Sequence, residues 1–188
     1  MGFSKTRLAK SLSKTEAQRI ARFSMNRTLR ACRNPTWTVR LYTTPARVLK
    51  WSLGGLWRDD LERRDQGSGD LTDRLEKGLT EAPLGKVLFI GADAPDLNAA
   101  FLARAFKALD GHDAVFGPAS DGGFWLFGLK KTVRTPSPFH KVRWSTEHAL
   151  EDVRRNLPTP SSISYLPQLV DIDTADDWKT WNRLQRDF

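Results

Sequence analysis

The stretch that decides the fold is Lys86–Leu97, KVLFIGADAPDL. Its first part, KVLFI, is apolar throughout after the lysine, which is typical of a strand buried on both faces of a sheet. Gly91 ends the apolar run, and Asp93 follows two residues later. Open α/β sheets bind their ligands just beyond the carboxyl ends of their strands. The stretch therefore predicts a central strand that ends in a functional loop.

Strand-like and helix-like segments alternate on both sides of this stretch. Such alternation predicts an α/β layered sheet, here in one domain over residues 1–188. The predicted elements are a capped helix over 13–33, a strand at Trp37–Thr43, a loop over 51–70, a helix at Leu71–Leu79, the strand at Lys86–Ile90, a helix at Asn98–Leu109, strands at Asp113–Phe116 and Phe124–Leu129 joined by a turn at Ser120–Gly123, a helix from near Ser145, a strand at Ser164–Val170 and a last helix capped by Thr174–Asp177.

The composition is that of a globular protein, with 39% hydrophobic and 28% charged residues. No apolar run reaches the ~20 residues of a transmembrane helix, and the N-terminus lacks the apolar region of a secretory signal. The single cysteine, Cys32, excludes an internal disulfide and suits a reducing compartment. We therefore expect a cytoplasmic protein with no membrane partner.

Positive charge is concentrated in the first fifty residues. They hold 12 Lys and Arg residues against one acidic residue, Glu16, in a chain of net charge +8. Such a region can bind nucleic acid, bind phosphate groups or form a solvated helix face. Because no zinc-ligand set and no aromatic RNA-binding motif accompanies it, we do not expect a nucleic-acid partner.

Asp93 is the first candidate site residue. A hard cation such as Mg²⁺ or Mn²⁺ takes oxygen ligands and can neutralise a diphosphate, so a carboxylate at a strand end suits a metal site. Pro95 would stiffen the loop. The plainer interpretation is that Asp93 and Asp96 form a turn and cap the next helix. We prefer that interpretation for Asp96, and both stay open for Asp93.

A second acidic pair, Asp171 and Asp173, follows the late strand. Residues two apart in an extended chain point the same way, so both carboxylates can face one site. Such a pair is common by chance and is weak evidence alone. Thr174 is better explained as a helix cap, with Asp176 and Asp177 in the first turn of that helix.

Two further segments have both a functional and a plain interpretation. Gly117–Gly123 is a glycine-rich corner where a ligand can approach the backbone, or simply an Asp-Gly hairpin turn. Trp144–Thr146 precedes a helix whose N–H groups can hold an anion, although Ser145 as an ordinary N-cap explains the pattern better. Near the N-terminus, Lys5 and Arg7 suit phosphate contacts, but no Walker loop surrounds them.

The order of these motifs resembles that of one bacterial family. It is a group of GT-A-fold glycosyltransferases associated with radical-SAM or selenodomain proteins, also known as arsenosugar-biosynthesis glycosyltransferases. It is related to the 2-phospho-lactate guanylyltransferases and the molybdenum-cofactor nucleotidyltransferases. The resemblance covers nearly the whole chain and rests on KTRL at 5–8, QGSGDLTDRL at 66–75, FIGADAPDL at 89–97, GPASDGGFWLFGL at 117–129, RWSTEHAL at 143–150 and LVDIDTADDW at 169–178.

The resemblance implies a nucleotide-diphospho-sugar transferase fold, a Rossmann-like three-layer sandwich with a metal-bound nucleotide at the carboxyl edge of its sheet. Asp93 matches the metal-binding aspartate, and Asp173, or alternatively Asp171, matches the second acidic ligand. The other implied site residues are Lys5, Arg7, Gln66, Gly67 and Asp70 for the nucleotide, Gly122, Gly123, Trp144, Ser145 and Thr146 for the acceptor side, and Asp121 with them.

The sequence departs from the family pattern in two places. Family members open with a buried strand and a loop that leads into KTRL, whereas Met1 stands inside that loop here. We expect either that the natural start lies upstream or that the product is marginally stable, and we favour the upstream start. Phe124 and Trp125 stand where tyrosines are usual, so any role of a tyrosine hydroxyl is lost.

The expected activity is glycosyl transfer from a nucleotide-activated donor to a small-molecule acceptor, with Mg²⁺ or Mn²⁺ as cofactor. Asp121 is the candidate for orienting or deprotonating the acceptor. Nucleotidyl transfer from an NTP to a phosphorylated small molecule fits the same site. A third alternative is a degenerate nucleotide-binding protein without activity.

Overall fold

The computed structural model describes residues 6–52, 54, 55, 57 and 60–186. Within these residues, helices and strands alternate along most of the chain, with a short 3-10 helix at Ala46–Lys50. The elements are α1 (Thr6–Ser11), α2 (Lys14–Cys32), β1 (Arg40–Thr43), β2 (Glu62–Asp65), α3 (Leu71–Glu81), β3 (Gly85–Ile90), α4 (Ala99–Gly111), β4 (Ala114–Pro118), β5 (Phe124–Lys131), α5 (Ala149–Arg155), β6 (Ile163–Tyr165) and α6 (Ala175–Leu184).

The strands form two sheets. In one, β1 and β2 pair in parallel, and in the other the order is β3-β5-β4-β6. β5 is antiparallel to β3 and β4, whereas β6 is parallel to β4, so the larger sheet is mixed. The α/β layered architecture predicted from the sequence is therefore confirmed.

Helices cover both faces of the larger sheet. On one face, α2 and α4 pack against Val115 and Trp125 in a buried cluster. On the other face, α3 and α5 pack against Phe116 and Phe127 in a second cluster. The neighbours Val115 and Phe116 on β4, and Leu126 and Phe127 on β5, thus enter opposite layers, as the alternation of side chains along a strand requires.

A third buried cluster joins the two ends of the chain. Leu8 of α1 and Ile20 of α2 pack with Ile172 and with Trp181 of α6. Ile172 has no exposed surface. The segment that contains Asp171 and Asp173 is therefore anchored by its middle residue against both terminal parts of the fold.

The predicted strand at Lys86–Ile90 exists, but the prediction that it is buried on both faces was wrong. Residues 87–90 are only half-buried. Among the described residues, β3 pairs with β5 alone, and its other edge borders a cavity that residues 39–44 of the smaller sheet also line. Apolar side chains on an edge strand keep part of their surface exposed.

Several predicted boundaries also differ from the structure. The first strand includes only the second half of Trp37–Thr43, and the late strand ends at Tyr165, with one further bridge between Ala119 and Leu169. The loop predicted over 51–70 contains β2, whose sequence ERRD lacks any apolar residue. This strand is held by parallel pairing with β1 and by an ion pair between Arg40 and Glu62.

The capped helices were predicted more accurately. Ser13 and Glu16 form the expected capping box of α2, and Thr174 and Asp177 form that of α6. Among the described residues, none of the helices is both long and apolar enough to cross a membrane. The predicted loss of a first strand concerns sequence before the described residues and stays a prediction.

Candidate functional site

Three carboxylates that are distant in sequence gather at one edge of the larger sheet. Asp93 follows β3, and Asp171 and Asp173 precede α6. One oxygen atom of each lies within 4.8 Å of the others, and all three residues are half-buried. Like charges at this separation repel one another, and a cation between them relieves that repulsion.

The backbone explains why these carboxylates meet. The Ile172 N–H donates to the Asp93 carbonyl oxygen at 3.0 Å, which ties the two loops together. Because Ile172 points into the buried cluster of the chain ends, the flanking Asp171 and Asp173 point the other way. The prediction that this pair faces one site agrees with the geometry, and Asp171 joins the cluster as fully as Asp173 does.

The loop after β3 is fixed by side chains from other elements. The Arg27 guanidinium of α2 donates to the Pro95 carbonyl oxygen at 2.5 Å. The Asp96 carboxylate accepts from the Trp181 indole N–H at 2.9 Å and from the Gln185 amide at 3.1 Å. Side chains of α2 and of α6 with its C-cap therefore hold the loop that carries Asp93.

Asp96 does not cap the following helix, so that prediction was wrong. The N-cap of α4 is Asn98, whose side chain accepts from the Phe101 N–H at 3.1 Å. Sequence reasoning also gave Trp181 no role near the site. An indole N–H is an ordinary hydrogen-bond donor to a carboxylate. The sequence did not reveal this pair because the two residues are 85 positions apart in the chain.

A cavity of about 1630 Å³ extends from the acidic cluster between the two sheets. Its wall includes the outer edges of β1 and β3, and residues of α2 and α3. The predicted site residues that line it are Gln66, Asp93, Asp121, Gly123, Trp144, Ser145, Thr146, Asp171 and Asp173. The structure thus brings candidates from five separate sequence motifs to one open space.

The turn between β4 and β5 is both a hairpin turn and part of the cavity wall. Asp121 accepts a hydrogen bond from the Gly123 N–H at 2.9 Å, and its carboxylate is otherwise exposed. Gly122 lies outside the lining residues, with φ of +85° and the backbone of Glu147 where a Cβ would stand. The two interpretations of this segment are therefore compatible, and Gly122 serves the packing of the wall.

The segment at 144–146 lines the cavity but does not open a helix. α5 begins at Ala149, and Ser145 has a positive φ of 61°. The predicted helix start and the Ser145 N-cap were therefore wrong, because the chain makes a turn here before the helix. The Trp144 indole N–H donates to the Thr72 hydroxyl at 2.8 Å, which joins this wall to α3.

The predicted nucleotide loop is divided between the cavity and its surroundings. Gln66 lines the cavity, and its N–H donates to the Thr43 carbonyl oxygen at 2.8 Å. Asp70 instead caps α3 by accepting from the Asp73 N–H at 3.1 Å, so its carboxylate is engaged outside the lining. Gly67 adopts a φ of +84° and approaches Lys77 rather than the cavity.

Two predicted phosphate ligands cannot be placed. Lys5 lies outside the described residues, and Arg7 is described only as backbone of α1. The departure at Trp125 has a structural explanation, since this side chain is 2% exposed and its indole N–H donates to the Pro167 carbonyl oxygen.

Tyr42 is the tyrosine of the cavity wall, and its ionisation is suppressed. Burial, together with the hydrogen bond to the Glu81 carboxylate at 2.9 Å, raises the pKa of Tyr42 to about 12. Near neutral pH, this hydroxyl therefore stays protonated and is a donor rather than a base.

The donor set of the acidic cluster fits a hard divalent cation. Carboxylate oxygens are the ligands that Mg²⁺ and Mn²⁺ prefer, and Asp93, Asp171 and Asp173 offer one each within a small space. With neither thiolate nor imidazole in the cluster, the chemistry of the donors disfavours soft metals.

The sequence of residues 28–146, well over half of the chain, matches a family described as an uncharacterised protein conserved in bacteria, DUF2064. The chain belongs to the DUF2064 family. No curated protein has a sequence that matches this DUF2064 chain significantly.

Solved structures place the DUF2064 chain among nucleotide-dependent transferase folds. A protein from Desulfovibrio desulfuricans G20, named as a candidate nucleotide-diphospho-sugar transferase, superposes with a TM-score of 0.84 at 25% identity, over 97% of this chain and 81% of that one. The 4-diphosphocytidyl-2C-methyl-D-erythritol synthase of Anaerococcus prevotii superposes with a TM-score of 0.60 at 11% identity, over 89% of each chain. The fold is thus the GT-A-like Rossmann fold predicted above.

Proposed function

We propose that this DUF2064 protein is a metal-dependent transferase that uses a nucleotide-activated donor, most simply a glycosyltransferase acting on a small-molecule acceptor. The observation that carries the proposal is the cluster of Asp93, Asp171 and Asp173 at the mouth of a large cavity in a transferase fold. The similarity to the Desulfovibrio protein at 25% identity over nearly the whole chain supports it.

The acidic cluster would hold Mg²⁺ or Mn²⁺, which neutralises the charge of a leaving nucleoside diphosphate. Asp93 is held by the Ile172 N–H and by the clamped loop, so its carboxylate needs little reorganisation on binding. Preorganised ligands of this kind lower the free energy that binding must spend on ordering side chains.

The acceptor would bind beside Asp121 and Trp144, which also line the cavity. Asp121 keeps one carboxylate oxygen that makes no bond to Gly123, and this oxygen can accept a hydrogen bond from an acceptor hydroxyl. Trp144 is fixed by its bond to Thr72 and offers a rigid apolar surface. Gln66 also lines the cavity and is our candidate for contact with the nucleotide.

Nucleotidyl transfer is the second candidate function. It is supported by the fold that the chain shares with the 4-diphosphocytidyl-2C-methyl-D-erythritol synthase. The same acidic cluster would serve an NTP and a phosphorylated small molecule, with pyrophosphate as the leaving group.

Product analysis separates the two reactions. Purified protein is incubated with Mn²⁺ and a panel of sugar nucleotides or NTPs, together with a pool of small-molecule acceptors. Release of a nucleoside diphosphate supports glycosyl transfer, and release of pyrophosphate supports nucleotidyl transfer. If nucleotides bind with Mn²⁺ but neither product forms with any acceptor, the protein is a binding protein and the proposal fails.

A further inference from the structure

Arg74 differs from other basic side chains that line the cavity. Arg40 is paired with Glu62 at 3.0 Å, and Lys86 is paired with Asp110 at 2.6 Å. Arg74 forms no ion pair with any described residue, and its Nε atom is buried without a hydrogen-bond partner in the described part of the chain. A buried donor on a charged group is unfavourable unless something accepts from it.

A second donor without a partner among the described residues belongs to another residue that lines the cavity. The Thr43 side chain at the end of β1 is 7% exposed, lines the cavity, and its hydroxyl meets no partner among the described residues. Thr43 also accepts the backbone hydrogen bond of Gln66, so the end of β1 adjoins the loop that leads into α3. Two elements that line the cavity thus each carry a buried donor atom with no partner among the described residues.

The position of Arg74 on α3 is fixed. It lies one turn after the N-cap Asp70, and the same turn of the helix is joined to the acceptor wall through Thr72 and Trp144. Thr72 in turn donates to the Phe139 carbonyl oxygen at 3.3 Å. The guanidinium is therefore carried by a rigid element rather than by a loop.

We propose that Arg74 binds a phosphate group of the substrate inside the cavity, with the Thr43 hydroxyl as a second donor. A guanidinium donates two parallel N–H bonds to a phosphate, and a threonine hydroxyl adds a third donor. This proposal rests on the proposed function, in which the nucleotide-activated donor carries phosphate. The group comes either from the donor diphosphate or from a phosphorylated acceptor, and both present the same oxygens to Arg74.

The acidic cluster and Arg74 then divide the work of charge neutralisation. Asp93, Asp171 and Asp173 repel a bare phosphate, so a phosphate near them needs a cation. Arg74 supplies positive charge from the protein itself, at a wall built by other elements. A substrate with one phosphate at the cation of the acidic cluster and another at Arg74 would be held in one orientation.

The test measures binding by isothermal titration calorimetry with Arg74→Gln, Arg74→Lys and the control Arg104→Gln, an exposed arginine of α4. Inorganic pyrophosphate is titrated first into metal-free protein, so that Arg74 is tested without the acidic cluster. We expect Arg74→Gln to weaken binding by about 10–100-fold, Arg74→Lys to weaken it less, and Arg104→Gln to have no effect.

Further titrations identify the source of the phosphate. Nucleoside diphosphates with Mn²⁺ probe the donor side, and inorganic phosphate added to the nucleotide-loaded protein probes the acceptor side. If Arg74→Gln lowers the affinity only for nucleoside diphosphates, Arg74 binds the donor. If it lowers the affinity only for inorganic phosphate, Arg74 binds the acceptor. Equal affinity of folded Arg74→Gln and wild type in all titrations would overturn the proposal. A different result would refute the proposed function alone. In that case the wild type binds no nucleotide with Mn²⁺, but Arg74→Gln still binds metal-free pyrophosphate more weakly than the wild type does.

Discussion

At the scale of single residues, the site depends on hydrogen bonds made behind it. Asp93 carries a candidate ligand, and the loop that positions it is held through Asp96 by Trp181 and Gln185. Groups that hydrogen-bond to the ligands of a metal site, or to the loop that carries them, orient those ligands, and their loss commonly weakens metal binding by about 10–100-fold. Trp181 is therefore expected to affect the site although it does not touch it.

We predict that Trp181→Phe lowers the affinity for Mn²⁺ by about tenfold, because the aromatic ring stays and the N–H donor to Asp96 is lost. The control is Trp178→Phe, since Trp178 stacks on Trp181 with 5.3 Å between ring centroids but makes no indole hydrogen bond with the described residues. Electron paramagnetic resonance of bound Mn²⁺ measures both variants. If Trp181→Phe bound Mn²⁺ as tightly as the wild type, the hydrogen bond from Trp181 to Asp96 would have no role in metal binding.

The packing of the cavity wall can be tested by adding a single Cβ atom at Gly122. A Cβ at this position would collide with the Glu147 backbone, and the φ of +85° disfavours any other residue. We predict that Gly122→Ala lowers the free energy of unfolding by about 2–3 kcal/mol. Gly111→Ala, at the end of α4 with open space around it, is the control and should leave stability unchanged or slightly higher. Urea unfolding of both variants decides the matter.

At the scale of the elements, α5 holds the segment at 143–146 in place by one ion pair. The Arg143 guanidinium donates to both oxygens of Asp152, at 2.8 and 2.7 Å, and the Arg143 N–H donates to one of them. These hydrogen bonds hold the pKa of Asp152 well below its ordinary value of 3.8. The carboxylate side chain is 11% exposed, so solvent screens the pair only in part.

The lowered pKa gives a pH dependence with a definite sign. Because the folded pKa lies below the unfolded one, the pair contributes its full stabilisation above about pH 4 and loses it as the pH falls through the folded pKa. We predict that Asp152→Asn lowers the melting temperature by about 2–4 °C at pH 7. The difference from the wild type should shrink as the pH falls below 4. A difference that stays constant down to pH 2 would assign the effect to packing instead.

The elements also show how much the sequence could predict. Helices with a capping pattern, such as α2 and α6, were predicted with correct starts, because the N-caps are local interactions. β2 was missed because its charged residues carry no apolar alternation, and its pairing with β1 comes from elsewhere in the chain. The start of α5 was misplaced because Ser145 adopts a left-handed conformation that no local pattern announces.

For the candidate site, the sequence predicted which aspartates gather in the cluster, but not the side chains that contact the surrounding loop and cavity. Asp93, Asp171 and Asp173 follow strands or precede a helix cap, which placed them at one sheet edge. The hydrogen bond from Trp181 to Asp96 joins distant segments, and the lack of a partner for the Arg74 Nε among the described residues also depends on tertiary structure, so no pattern in one segment reveals either.

At the scale of the whole molecule, helices from the first and last parts of the described chain hold the candidate site in place. Ile172 anchors the acidic segment in a cluster with Leu8, Ile20 and Trp181, while Arg27 of α2 holds the loop of Asp93. The cavity between the two sheets then joins this cluster to the wall around Asp121 and Trp144. Folding and assembly of the acidic cluster are therefore expected to be coupled.

The central claim is that Asp93, Asp171 and Asp173 bind one divalent cation with a nucleotide. The most direct test titrates Mn²⁺ into the nucleotide-loaded wild type, Asp93→Asn and Asp173→Asn, followed by electron paramagnetic resonance. Asp176→Asn is the matched control, because Asp176 lies three residues further on, is exposed and pairs with Lys179. We predict one Mn²⁺ in the wild type and the control, and affinity reduced by about 100-fold or more in the two cluster variants. Unchanged Mn²⁺ binding in folded Asp93→Asn and Asp173→Asn, or no Mn²⁺ binding in the wild type, would contradict the account.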